Sequence, residues 1–194
     1  MKVIGRSGSC TVEVVADGTG LTSRAGTAML ALLADQVGLT GALEGGLAHT
    51  RERCCAHPPG RVFCDLAVMV ADGGRCVSDL GALGDQVAIF GEIASGSTAR
   101  RVLLEIGDRE RDAIRVARAQ ARERAWAADA APKQVILDFD ATLVTAHSDK
   151  QHAAGNYKGG FGFHPLLATC EREVLGAVLR PGNAGANTAS DRDP

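Results

Sequence analysis

Val135-Ile136-Leu137-Asp138-Phe139-Asp140-Ala141-Thr142-Leu143-Val144 is a short apolar run that carries two carboxylates two residues apart, with Pro132 upstream. Three apolar residues followed by alternation predict a strand entering a core from its protected end. Side chains alternate across a strand, so Asp138 and Asp140 share one face while Leu137 and Phe139 take the other. Two carboxylates on one face repel unless a proton or a divalent cation stands between them. The pair therefore suggests a Mg²⁺ or Mn²⁺ ligand set, or an acid/base pair. The plainer reading is a strand that ends at a solvated loop, although aspartate is depleted within strands.

Around this stretch the chain has 194 residues, enough for one ordinary domain or two small ones, and a hydrophobic content of 45% suits a globular protein. No apolar run reaches transmembrane length, and no apolar segment follows the charge at Lys2, so neither a membrane span nor a signal peptide is expected. A cytoplasmic location is the default expectation. Six cysteines, Cys10, Cys54, Cys55, Cys64, Cys76 and Cys170, follow no repeated spacing and are expected as free thiols. His49, Cys54, Cys55, His57 and Cys64 lack the two-residue gap with which one turn presents two zinc ligands. A net charge of −2 gives the whole chain no nucleic-acid signature, so any basic surface must be local.

Upstream of the strand the chain is mainly helical by pattern. Residues 10–16 alternate and suggest one strand. Thr22 or Ser23 can cap a helix to about Val37, with Gly38 as its stop. Residues 39–60 fit a loop or short helices. A buried helix is expected over Val62–Ala71, broken by Asp72-Gly73-Gly74, with another beginning at Cys76–Leu83. That outline matches a helix-turn-helix, as do many helical hairpins that bind no DNA. Ser97–Ile106 opens at a good cap and carries Arg100 and Arg101. Asp108–Ala128 is the longest helical pattern. Its Arg111, Arg115, Arg118 and Arg122 fall at helical intervals on one face. Residues 100–133 hold nine Lys/Arg against six Asp/Glu, a local excess that can track a phosphate backbone. The alternative is a solvated face held by local pairs, Asp108 with Arg111 and Asp112 with Arg115.

Pro132 marks the start of a second unit, giving expected domains of 1–132 and 133–194. After the opening strand, residues 145–160 are polar and glycine-rich. Phe161–Thr169 then reads as a second strand and Glu173–Leu179 as a third, joined at Cys170–Arg172. Short connections predict an antiparallel meander, marginal by itself.

Two families carry resemblances. Asp138-Phe-Asp-Ala-Thr142 is similar to the DxDxT signature of haloacid-dehalogenase-like phosphatases, which would make Asp138 a nucleophile and Asp140 a general acid/base beside Mg²⁺. That family carries the motif near the start of its domain and needs later elements that this chain does not supply. Nearly all of residues 3–189, including Arg6–Gly26, Asp65–Leu80, Leu137–Ser148, Tyr157–Leu167 and Leu179–Thr188, resembles DDE-type transposases of actinobacterial insertion sequences. The resemblance implies an α+β chain: a mostly helical DNA-binding region, then an RNase H-like domain represented by its first three antiparallel strands. It implies metal-dependent DNA cleavage and strand transfer with Mg²⁺ or Mn²⁺ held by two Asp and one Glu. It also implies as partners the transposon's terminal inverted repeats and a second copy or a full-length transposase. The first acid corresponds to Asp140, before Ala141-Thr142, and Asp138 is the alternative ligand. Lys158 and His164 lie in the matching Tyr-Lys-Gly-Gly…His-Pro stretch without an assignable role. Residues 180–194 offer neither the second Asp nor the Glu, so the expectation is a truncated transposase, inactive as it stands.

Overall fold

The computed structural model describes residues 2–4, 11–13, 24–50, 56–170 and 173–185. It divides into two compact units, Met1–Ala131 and Pro132–Pro194. The chain is α+β, helical first and then built of strands.

The first unit opens with strands β1 (Lys2–Ile4) and β2 (Thr11–Glu13), an antiparallel pair. β2 lies within the alternating stretch 10–16; its partner β1 was not expected. The described helices are α1 (Ala25–Gln36), α2 (Leu39–Gly46), α3 (Pro59–Ala71), α4 (Gly81–Gly84), α5 (Val87–Phe90), α6 (Gly96–Leu104) and α7 (Asp108–Ala125). The caps suggested at Thr22 and Ser23 lie outside the described residues.

Gly38 does more than stop α1. At φ +71° it takes the left-handed conformation open to glycine, and α2 starts at once after a bend of 63°. The Arg124 guanidinium occupies the space a Cβ at position 38 would need, and Arg124 Nη1 donates to the Val37 carbonyl at 3.2 Å. The region 39–60, expected as loop or short helices, thus contains an eight-residue helix. In α3 Pro59 sits at the first turn, where its missing N–H breaks no helical bond. α6 is capped by Ser95, whose Oγ accepts the Thr98 N–H at 3.3 Å, and not by Ser97. A capping side chain must stand outside the helix to reach back to its third N–H, and Ser97 is already inside.

Two apolar clusters hold this unit. In one, Val62, Leu66 and Met69 of α3 meet Ala28 and Ala31 of α1, with Leu80, Leu83, Phe90 and Ala99. The other joins Ala34, Leu43, Cys64 and Ala117, with Phe63 and Ile114 packed against it. Gly60 marks the closest approach of α2 to α3: a Cβ there would stand 2.3 Å from the backbone of Leu43 and Glu44. Across α1 and α3, Asp72 accepts from the Thr27 hydroxyl and pairs with Arg24. At the start of α7 Glu110 accepts from His49 Nε2 at 2.6 Å and from the Gly107 N–H at 2.8 Å. These two donors, His49 first, hold the Glu110 carboxyl below its ordinary pKa.

The second unit contains two three-stranded antiparallel sheets. One is ordered β3 (Leu137–Ala141), β7 (Leu166–Cys170), β8 (Glu173–Val178), the expected meander. The other is ordered β4 (Val144–Thr145), β6 (Phe161–Phe163), β5 (Ala154–Gly155). The expected single strand Phe161–Thr169 is therefore two, and the polar, glycine-rich residues 145–160 supply strand pairing of their own. The interruption is His164-Pro165, because Pro165 has no N–H to give a ladder. The suggested turn includes Glu171 and Arg172, outside the described residues. A second correction concerns β3. Leu137 and Phe139 stand 55% and 39% exposed rather than buried, because the face of β3 that they occupy is left uncovered, as is the face of Asp138 and Asp140. Gly162 is pressed against β4: a Cβ there would lie 2.0 Å from the Val144 carbonyl oxygen.

Gly60→Ala and Gly26→Ala make a matched pair, since both glycines occupy the second position of a helix and nothing lies within 4 Å of a Cβ at Gly26. Overpacking should make Gly60→Ala destabilising by about 1–3 kcal/mol, whereas Gly26→Ala should be neutral or stabilising by up to about 1 kcal/mol. Urea unfolding of the two variants checks the contrast; equal midpoints would remove the close-contact argument. For Glu110, the lowered pKa means stability present above the ordinary carboxylate range and lost as pH falls through the depressed value. Glu110→Gln should lower the melting temperature at pH 7, with the deficit closing as the pH drops below that range. A deficit independent of pH would show that the charge is not what matters.

Candidate functional site

The pairing of β3 with β7 fixes where the two carboxylates stand. Asp138 lies opposite Thr169 and Asp140 opposite Leu167. Leu137, Phe139 and Ala141 alternate with them, opposite Cys170, Ala168 and Leu166. Asp138 and Asp140 therefore share one face of an edge strand, with their Cα atoms about 7 Å apart from the strand rise. Both are exposed. One oxygen of Asp140 accepts the Ala141 N–H at 2.8 Å, which orients the carboxylate at the end of the strand.

Carboxylate oxygens are the donors a hard cation such as Mg²⁺ prefers, and Asp138 and Asp140 suit one side of such a site. The first requirement, two acids on one face, is met. The rest of a coordination shell is not assembled: among the described residues no three His, Cys, Asp or Glu side chains come together as a metal site. Of the zinc set weighed from sequence, His49 is bound to Glu110 and Cys64 is buried 3.5 Å from the Thr40 hydroxyl. Cys54 and Cys55 lie outside the described residues.

The basic candidates occupy α6 and α7. On α7 Glu110, Ala117 and Ala121 are buried, and at roughly 100° per residue they define the inward stripe. Arg111, Arg115, Arg118 and Arg122 follow the same period about a quarter-turn round the helix. Arg111 and Arg115 are accordingly exposed while Arg118 and Arg122 are half-buried. Arg111 pairs with Asp108, and Arg115 with Asp112 at 2.8 Å, the local pairs that the spacing allowed. Arg101 donates to the Thr98 hydroxyl at 3.1 Å, and both Arg100 and Arg101 are exposed. The four α7 arginines thus share a flank, with two already facing a carboxylate.

An open apolar groove of about 470 Å³ lies between α3 and α6, lined by Phe63, Leu66, Met69, Val70 and Leu103 with Arg75 at its margin. Its lining holds neither aspartate and only one cation, so it is not where phosphate chemistry is placed. No single described helix is long and apolar enough to cross a membrane.

The stretch around Lys158 carries more than the sequence reading assigned. Asn156 Oδ1 accepts the Lys158 and Gly160 N–H groups, each at 3.0 Å, and fixes the tip between β5 and β6. Tyr157 projects from that tip 74% exposed, with the Lys158 ammonium 5.7 Å from its ring centroid. The signal available in the sequence was the only tyrosine of the chain next to a lysine in an Asn/Gly turn.

Neither a curated protein nor a solved structure matches the chain. The family described as transposase DDE domain group 1 matches residues 5–192. With nearly its whole length so matched, and with paired aspartates on the strand of the second unit, the protein belongs to the transposase DDE domain family.

Proposed function

We propose that this chain serves DNA transposition by binding transposon-end DNA through its helical unit and presenting, on β3, the first acid of a DDE metal site. The observation that carries the reading is the placement of Asp138 and Asp140 on one exposed face within a chain matched by that family along residues 5–192. The second unit would be the opening of an RNase H-like domain, with Asp140 as the leading ligand and Asp138 as its neighbour. A bound Mg²⁺ or Mn²⁺ would offset phosphate charge and activate a water or a 3′-OH. The residues of this chain contribute the two carboxylates and their fixed spacing.

DNA binding falls to the Arg111, Arg115, Arg118 and Arg122 flank, with Arg100 and Arg101 as further phosphate contacts. Exposed ion pairs are weak and easily exchanged, so Asp108 and Asp112 hold Arg111 and Arg115 extended without withholding them from a phosphate. The terminal inverted repeats of the element are the DNA this reading implies. A second copy or a full-length transposase is the protein partner it implies. At the candidate site the described residues bring together two acids where the reaction uses three, and on that ground the chain is read as binding DNA without cutting it. The phosphatase reading has no comparable support, since β3 continues into an antiparallel meander.

Changing Arg111, Arg115, Arg118 and Arg122 together to Gln should flatten the plot of log K against log salt by about 0.9 for each arginine that meets a phosphate, a loss of about two or more in all. Fluorescence anisotropy with terminal-repeat duplexes between low and moderate salt measures this, and an unchanged slope would remove α7 from the interface. Incubation of the chain with the same duplex and Mn²⁺ should leave the DNA intact. Cleavage that disappears in Asp140→Asn would instead show a complete active site.

A further inference from the structure

The sheet β4–β6–β5 has no part in the carboxylate site, yet it is built with care. Two short connections, Thr142-Leu143 and His164-Pro165, join it to the β3–β7 pair at the end where Asp140 stands. After Ala141 opposite Leu166, the Thr142 N–H donates to the Pro165 carbonyl at 3.2 Å, and the ladder resumes with Val144 opposite Phe163. The pairing then runs through Ala154 opposite Gly162 and Gly155 opposite Phe161. It closes where the Asn156 N–H donates to the Gly160 carbonyl at 2.8 Å. Seven steps of extended chain lead from Leu167, opposite Asp140, to Gly160, so the base of the tip lies within roughly 25 Å of Asp140.

At that tip stand Tyr157 and Lys158. The Tyr157 ring stands 74% exposed, next in sequence to a lysine whose ammonium lies 5.7 Å from the ring centroid. The ring is also held. His164 lies beside it with centroids 6.1 Å apart and planes inclined at 55°, and the Asn156 turn fixes the backbone that follows it. The segment that forms the tip is slightly cationic: residues 142–164 contain Lys150 and Lys158 against a single acid, Asp149. A pre-positioned aromatic face beside a flexible cation is the pairing that stacks a nucleobase and neutralises the adjoining phosphate.

We infer that the β5–β6 tip is a binding site for unpaired DNA, in which Tyr157 stacks on an exposed base and Lys158 meets the neighbouring phosphate. The inference deepens the function proposed above and rests on it, since it supposes that the strand bearing Asp140 is brought to a DNA end. Bases paired within a duplex are closed to such stacking, so the tip distinguishes an unpaired tail from paired duplex. His164, tilted against the ring, is a positioning residue.

The test compares two fluorescein-labelled oligonucleotides with the full 194-residue chain: a blunt duplex, and the same duplex with a ten-nucleotide 3′ dT tail. The tail should tighten binding to the wild-type chain. Tyr157→Ala should remove at least about fivefold of that advantage while leaving blunt-duplex affinity unchanged, and Tyr157→Phe should keep it. Lys158→Ala should lower the salt slope for the tailed DNA by about 0.7. Because Tyr157 is exposed, unchanged circular dichroism of the variants is expected to accompany these results. A tail that brings no advantage, or one that survives in Tyr157→Ala, overturns the stacking site and leaves duplex binding by α7 standing. A wild-type chain that binds neither oligonucleotide overturns both.

Discussion

The antiparallel ladder between β3 and β7 is the constraint on which the candidate carboxylate site depends. Every residue of β3 has its partner set by that register, and the two-residue period of a strand then leaves Asp138 and Asp140 no choice but to share a face. A slip of one residue would turn both carboxylates to the side that Leu137 and Phe139 occupy. Because both acids are in water, their mutual repulsion is screened, and the unit tolerates the pair without a cation to neutralise it. Holding two acids ready is thus compatible with a stable strand. Making a catalytic centre of them demands further ligands that one strand cannot supply.

The helical unit solves a different problem, that of carrying many arginines without losing its packing. α7 keeps alanines where it is buried and concentrates its cations on the flank. Alanine costs the helix no side-chain entropy and permits close approach, which matters where Ala113 and Ala117 meet the glycine-rich α2 and its neighbours. Asp108 and Asp112 sit near the helix N-terminus, where negative charge is favoured by the dipole, and each also steadies an arginine three residues on. Arg124, on another side of the helix, is used structurally, closing over Gly38 and the end of α1. The same residue type therefore serves two ends on one helix, and the difference lies in which face the period assigns it.

Much of this could be read from the residues. The long helix from Asp108, the break at Asp72-Gly73-Gly74, the order of helices before strands and the antiparallel meander all follow from local pattern and punctuation. So does the shared face of Asp138 and Asp140. What could not be read was set by distant partners. The run Val135–Phe139 has the composition of a buried strand, yet exposure is decided by what lies on the sheet and not by the strand's own residues. The split at His164-Pro165 was announced by the proline, but its meaning depends on Val144 and Ala154 finding β6 across nearly twenty residues of glycine-rich chain. Gly60 looked like part of a loop, and only the backbone of Leu43 and Glu44 explains it.

Two small sheets would move independently if only the chain breaks at Thr142-Leu143 and His164-Pro165 joined them. The link is Arg180. Its backbone carbonyl accepts the His164 N–H at 2.9 Å, and its Nε returns a bond to the His164 carbonyl at 3.1 Å, with the side chain buried at 7% exposure. Pro181 then bridges to Phe163, and Gly182 passes so close to Ala154 and Gly162 that a Cβ would stand 2.3 and 2.8 Å from their carbonyl oxygens. The segment that leaves β8 is in this way stitched across β6 and β5. Burying an arginine is costly unless its donors are used, so the expense is reasonable only where rigidity between the parts is the return. The strand that holds Asp140 and the tip that holds Tyr157 are consequently one body, and whatever engages one is held at a fixed distance from the other.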